Sequence, residues 1–168
     1  SDSILADIEI ISLAYNSLRS IGIKNITLEL TSKVFLDEIF LKVKDSKTLN
    51  KLKIFIKQKD KKNSLALLKN KKEKKLLEDL FLLSGNSKDL INNVNIISTS
   101  RFAKNEIENI KQIVNSINLK PNDQIIFDFT EIDNKNYHDG IKFTFFAKDV
   151  RGEIASGGRY KIKTANKE

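Results

Sequence analysis

No cysteine occurs among the 168 residues, and there is a single histidine, His138. The first absence excludes a disulfide framework and thiolate ligation of a metal, and the second leaves no histidine cluster to hold one. Tryptophan and methionine are missing as well, and proline occurs once, at Pro121. With no Met even at position 1, and Ser1-Asp2-Ser3 opening directly onto a helical pattern, the sequence is expected to be an excised piece of a longer protein. No apolar run has the length of a membrane span, and no charged segment followed by an apolar stretch opens the chain. A soluble cytoplasmic protein without a signal peptide is the expectation.

Arginine is scarce too. Of the 30 basic residues only Arg19, Arg101, Arg151 and Arg159 carry a guanidinium, although the net charge is +8. Readers of phosphates and base edges favour the planar, bidentate guanidinium, so a surplus made of Lys argues against a nucleic-acid partner. What the chain does have is core material: 40% apolar residues, ten of them Phe. At this length one domain is expected, able to bury about 70% of its unfolded surface.

Ile4, Ile8, Ile11, Tyr15 and Leu18 follow helical spacing, with Ser3 as N-cap and Gly22 placed for a left-handed C-terminal residue, which predicts a helix over 4–20. Ile23 to Leu30 alternates apolar and polar residues and predicts a half-buried strand. Thr31 or Ser32 is then expected to cap a second helix running to about Val43. From Lys42 to Lys75 the composition shifts to fourteen Lys against Asp45, Asp60 and Glu73. Leu and Ile recur there at helical intervals, so the stretch reads as a helical insertion with a solvated Lys face. The organisation expected is a first part of the core over 1–44, the insertion over 45–98 and a second part of the core over 99–168. Within the last part, Ala103, Ile107, Ile110, Val114 and Ile117 predict a helix over 101–118, ending before the turn at Pro121-Asn122-Asp123.

Two strands follow. Ile125, Phe127 and Phe129 share one face against Ile126, Asp128 and Thr130; Ile141, Phe143, Phe145 and Ala147 oppose Lys142, Thr144 and Phe146. Read as adjacent and antiparallel, they form a platform with an apolar side for helices and a mostly polar side for something else. A third strand carries Gly157-Gly158-Arg159-Tyr160. Glycine inside a strand weakens the sheet, so the pair marks either a bulge or the close approach of a ligand. Arg159 is placed to clamp a carboxylate or phosphate.

The run Tyr137-His138-Asp139-Gly140-Ile141, followed by Phe143-Thr144-Phe145-Phe146-Ala147, Val150-Arg151-Gly152-Glu153 and Gly157-Gly158-Arg159-Tyr160, resembles the regulatory subunits of ATP phosphoribosyltransferase. These are paralogues of histidyl-tRNA synthetase, with an Arg-Gly-X-X-Tyr-Tyr-Thr-Gly-like corner and a Gly-Gly-Arg-Tyr-Asp segment in a class II synthetase core. The segment Ala6-Asp7-Ile8-Glu9-Ile10-Ile11 is similar to the one after the second class II motif of that family. The resemblance implies an α+β fold: an antiparallel sheet flanked by helices, part of a class II core, with a helical insertion. It implies a histidine-like pocket of Tyr137, His138, Gly157, Gly158, Arg159 and Tyr160, with no cofactor and no metal.

One departure bears on chemistry. Where a synthetase places the arginine that neutralises the α-phosphate, this chain has Asp133. A like charge about 4 Å from a phosphate costs on the order of 4 kcal/mol at an intermediate dielectric. Asp133 therefore marks loss of adenylate formation. The implied role is that of a non-catalytic regulatory subunit that binds and activates the short catalytic subunit of ATP phosphoribosyltransferase, senses free L-histidine and self-associates in its full-length form. His138 stands where the family has the second Tyr of its pair, and Lys161 where it has Asp. A fragment of a catalytic histidyl-tRNA synthetase and a Lys-rich RNA-binding module are the alternatives.

Overall fold

The computed structural model describes residues 4–86, 101–132 and 138–160, with backbone alone at Asn86, His138, Asp139 and Tyr160. Helix α1 (Ile4–Ser20) leads through Gly22, at φ +92°, into β1 (Ile26–Ser32). Its expected cap, Ser3, lies outside the described residues. Helices α2 (Val34–Phe40), α3 (Ser46–Lys57), α4 (Lys61–Leu67) and α5 (Lys71–Leu83) follow, then a short strand β2 (Gly85–Asn86). Helix α6 (Arg101–Ser116) precedes β3 (Gln124–Phe127), β4 (His138–Ala147) and β5 (Ala155–Tyr160).

Three expectations are corrected here. Thr31 and Ser32 are buried residues of β1 and the N-cap position falls to Lys33, which makes no side-chain cap bond, although the Ser32 hydroxyl accepts from Val34 N at 3.4 Å. Helix α2 also stops at Phe40, short of Val43, where the chain tightens through bonds from Lys42 N to Ile39 O and from Val43 N to Phe40 O. Most consequentially, β3 and β4 are not neighbours.

The sheet order is β2-β3-β1-β4-β5, with β1 parallel to β3 and antiparallel to β4. A parallel pair needs a long crossover connection, and the helical stretch of α2 to α6 supplies it. Over 46–83 that stretch is three short helices, and Asp45, Asp60 and Asn70 each accept a backbone N–H at a helix start. It ends in β2, which pairs with β3 and so belongs to the sheet rather than to an insertion.

Register assigns each residue to a face. Ile125, Leu28, Phe145 and Ala155 line up across the sheet, as do Phe127, Leu30, Phe143 and Gly157. These rows and the buried residues of the helices form one continuous core, in which Phe35 meets Phe129 edge-on at 4.9 Å. The opposite face carries Ile126, Glu29, Thr144 and Ser156 in one row and Thr31, Lys142 and Gly158 in the next.

Gly157 owes its identity to this core. A Cβ there would stand 2.5 Å from Cζ and 2.9 Å from Cε1 of Phe143, whose ring lies over the glycine on the neighbouring strand. The bulge considered for the Gly-Gly pair lies instead on β4, in the register shift between His138 and Lys142, where Gly140 takes φ +88°. Replacing Gly157 by Ala is expected to lower stability to urea by about 1–3 kcal/mol through overpacking. In a Phe143→Ala background the same substitution should cost little, and a double-mutant cycle showing plain additivity would refute the contact.

Candidate functional site

On the polar face the centre is Glu29, in the middle of the central strand, half-buried and level with Ile126 and Thr144. Two more carboxylates gather beside it because the chain leaving β3 stays close to β1: Asp128 N donates to Leu30 O at 3.1 Å, and Glu131 follows three residues on. Lysines answer from two directions. Lys142 on β4 reaches Glu131 at 2.7 Å, and Lys59, from the turn between α3 and α4, bridges Asp128 Oδ2 at 2.5 Å and Thr130 Oγ1 at 2.9 Å.

These charges do not cancel. Burial pushes the Glu29 carboxyl up to about 7, helped by the negative charges of Glu131 and Asp128 and opposed by Lys59 and Lys142. Asp128 moves the other way: burial raises it, but hydrogen bonds from Lys59 and Thr130 outweigh that and hold it below the ordinary carboxylate value. The face thus offers one carboxyl, Glu29, that carries a proton near neutrality beside Asp128, whose hydrogen bonds hold it ionised. Such an arrangement accepts an ammonium or a hydrogen-bond donor. Among the described residues no group of three or more His, Cys, Asp or Glu could hold a metal ion, and no helix is long and apolar enough to cross a membrane.

The residues expected to form a pocket are only partly assembled. Gly158 lies on the polar face opposite Lys142, and His138 and Tyr160 are register partners at the far end of β4 and β5. Tyr137 and Asp133 lie outside the described residues. Gly157 and Arg159 belong to the other alternation set, facing the helices. There Arg159 does clamp a carboxylate, but an internal one: Nε and NH2 bond Asp7 Oδ1 and Oδ2 of α1 at 2.9 and 2.8 Å. Nearby, Glu106 of α6 is buried, accepts a short hydrogen bond from Ser32 Oγ and a longer one of 3.4 Å from Asn109, and feels the charges of Arg159 and Asp7. Burial lifts its carboxyl above the ordinary value, with the hydrogen bonds opposing.

Sequence reasoning did not select Glu29, Asp128, Glu131, Lys59, Lys142 or Glu106 as site residues. Glu29 carried a signal, a carboxylate at the centre of an alternating strand, and so did Glu106, on the apolar stripe of its helix three residues after Ala103. Lys59 carried none that could point it at the sheet.

Glu29 sets a pH dependence whose sign follows from its raised value. The folded protein holds this proton more tightly than the unfolded chain, so the contribution is neutral well below the ordinary glutamate range and becomes a cost as pH rises towards and past 7. Glu29→Gln is therefore expected to stabilise the protein at pH 8 by about 1–2 kcal/mol, a figure reduced for the exposed half of the side chain, and to change little at pH 4. Urea titrations at the two pH values measure this; equal effects at both would show that Glu29 titrates normally.

Comparison with known proteins adds to this geometry. An ATP phosphoribosyltransferase regulatory subunit of Clostridium botulinum is 29% identical over 168 residues, covering 95% of this chain and 40% of the relative. A histidine–tRNA ligase of Azobacteroides pseudotrichonymphae is 36% identical over 87 residues, half of this chain and 19% of the ligase. Among solved structures, the ATP phosphoribosyl transferase HisG:HisZ complex of Thermotoga maritima superposes with a TM-score of 0.73 over 96% of this chain and 58% of that one, at 12% identity, a likeness of fold. This chain thus spans about 40% of the length of the curated regulatory relative. The model of the histidyl-tRNA synthetase family matches residues 1–167, and the chain belongs to that family.

Proposed function

We propose that this chain forms part of a regulatory subunit of ATP phosphoribosyltransferase, acting in the cytoplasm at the first step of histidine biosynthesis. It has no transfer or aminoacylation chemistry of its own; it binds the short catalytic subunit, activates it and relays the presence of histidine. The observation that carries the reading is the relative named as a regulatory subunit, aligned over 95% of this chain, against half of it for the histidine–tRNA ligase of Azobacteroides pseudotrichonymphae.

Charge supports the same choice. Asp133 replaces the arginine that the family's synthetases use on the α-phosphate, and Arg159 is engaged with Asp7 on the helix side of the sheet. On the polar face Lys59 and Lys142 are already engaged by Asp128 and Glu131, so neither is held ready for a triphosphate, whereas an amino acid brings an ammonium that Glu29, Asp128 and Glu131 can meet. The pocket would then keep its preference for histidine while the activation chemistry is gone. Histidine bound more tightly by one arrangement of the complex shifts the population towards it.

The shorter but more identical ligase match, 36% over half of the chain, sustains a second reading, a piece of an active histidyl-tRNA synthetase. One experiment separates the two. The full-length protein, mixed with a short-form catalytic subunit, is expected to raise the rate of phosphoribosyl transfer to ATP, and added histidine is expected to reverse the gain. No stimulation would sink the regulatory reading, and histidine-dependent exchange of pyrophosphate into ATP would establish the synthetase instead.

A further inference from the structure

Lys59 occupies a position that favours glycine. Helix α3 ends in a paired-bond turn: Asp60 N donates to Phe55 O and Lys59 N to Ile56 O, both at 2.9 Å, with Lys59 between them at φ +58°. That backbone shape suits Gly, because a Cβ crowds the neighbouring carbonyl. A lysine accepts this strain without any local return, since nothing in the turn needs an ammonium.

The return comes from elsewhere in the fold. From its left-handed position the side chain crosses to the sheet, where Nζ bonds Asp128 Oδ2 and Thr130 Oγ1. Both acceptors belong to the segment leaving β3, and they bond each other: Thr130 Oγ1 and N donate to Asp128 Oδ1 at 2.8 and 2.9 Å. The ammonium also acts on Glu29, which faces Asp128 and Glu131 from the chain after β3, Lys142 from β4 and Lys59 itself. One side chain thus joins the helical stretch to the group of carboxylates whose charge varies near neutrality.

We propose that Lys59 is a charge-reading latch: it fastens the α3–α4 turn to the polar face of the sheet, and its hold follows the charge on Glu29. When Glu29 is ionised, Lys59 is drawn by two carboxylates, and the turn is held more tightly. When Glu29 is neutralised, by a proton or by a cationic ligand on the face, Asp128 and Thr130 alone retain it. A change of charge on the sheet thereby becomes a change in how firmly a helical segment is docked.

Hydrogen exchange of the intact chain, read by mass spectrometry and corrected for the intrinsic pH dependence of exchange, tests this. Between pH 6 and pH 8 the peptides covering the α3–α4 turn are expected to gain about two- to fivefold in protection, the range of one exposed ion pair. The rise should vanish in Lys59→Met and in Glu29→Gln. It should vanish equally in Lys59→Gly, which relieves the backbone while removing the ammonium and so separates the latch from the helix-end turn. Peptides of α1 and α6 serve as the control for intact folding and should not share the effect. A pH-dependent rise that persists in Lys59→Met or Glu29→Gln, or its absence from the unsubstituted protein, would overturn the proposal.

Discussion

One buried carboxylate, that of Asp123, fixes how the two ends of this chain meet. Its side chain is fully enclosed, and both oxygens are used: Oδ1 accepts from Ile26 N at 2.7 Å, and Oδ2 accepts from the Tyr15 hydroxyl at 2.6 Å. The Tyr15 oxygen in turn accepts from Lys120 N at 2.9 Å, while Arg19 approaches Asp123 at 3.6 Å and donates to Ile23 O. Burial and the bond to Asp123 raise the Tyr15 hydroxyl above its ordinary value, so it stays a donor at any physiological pH. A buried charge persists only where partners satisfy it, so the last half of α1, the entry to β1 and the entry to β3 are held to one arrangement. That sets the parallel register of β1 and β3. The position of Asp128 beside Glu29 follows from it.

With β1 central, the two faces of the sheet take different work. The helix side carries a polar seam, in which the Asp7–Arg159 pair lies near Glu106, Ser32 and Asn109. This seam fastens β5 to α1 just where His138 and Tyr160 come into register. An arginine that reads in the sequence as a ligand clamp is thus a tie between the first helix and the last strand, 152 positions apart. Fork-to-fork pairing of guanidinium and carboxylate fixes direction as well as distance, which a lysine in that place would not do.

Local pattern made the elements legible, and long-range pairing did not. Helix α1 was readable to its ends because helical spacing and the left-handed Gly22 agree. The alternation in β1 and β4 correctly divided a buried face from a polar one. The insertion of β1 between β3 and β4 left no trace, since Leu28 finds Ile125 only after the whole helical crossover has been traversed. Gly157 shows the same limit on a smaller scale: glycine announces that space is needed, and only the fold reveals that the ring of Phe143 fills it. The reading of a helical insertion over this stretch did not divide it, although Asp45, Asp60 and Asn70 are the cap residues at its three helix starts.

Net charge is the least reliable of the sequence-level guides here. A chain at +8 suggests an anionic partner, yet the centre of its sheet gathers carboxyl groups, because the surplus Lys lies largely on the helical crossover while Glu29, Asp128 and Glu131 converge in the fold. Field strength at a site depends on the few groups within several ångströms, and distant surface charges are screened. For a ligand, therefore, the relevant balance is Glu29, Asp128 and Glu131, the first of them titrating at about 7, against Lys59 and Lys142. The sign of the whole chain therefore says little about this face, where the state of one carboxyl, Glu29, decides whether the local charge is balanced or negative.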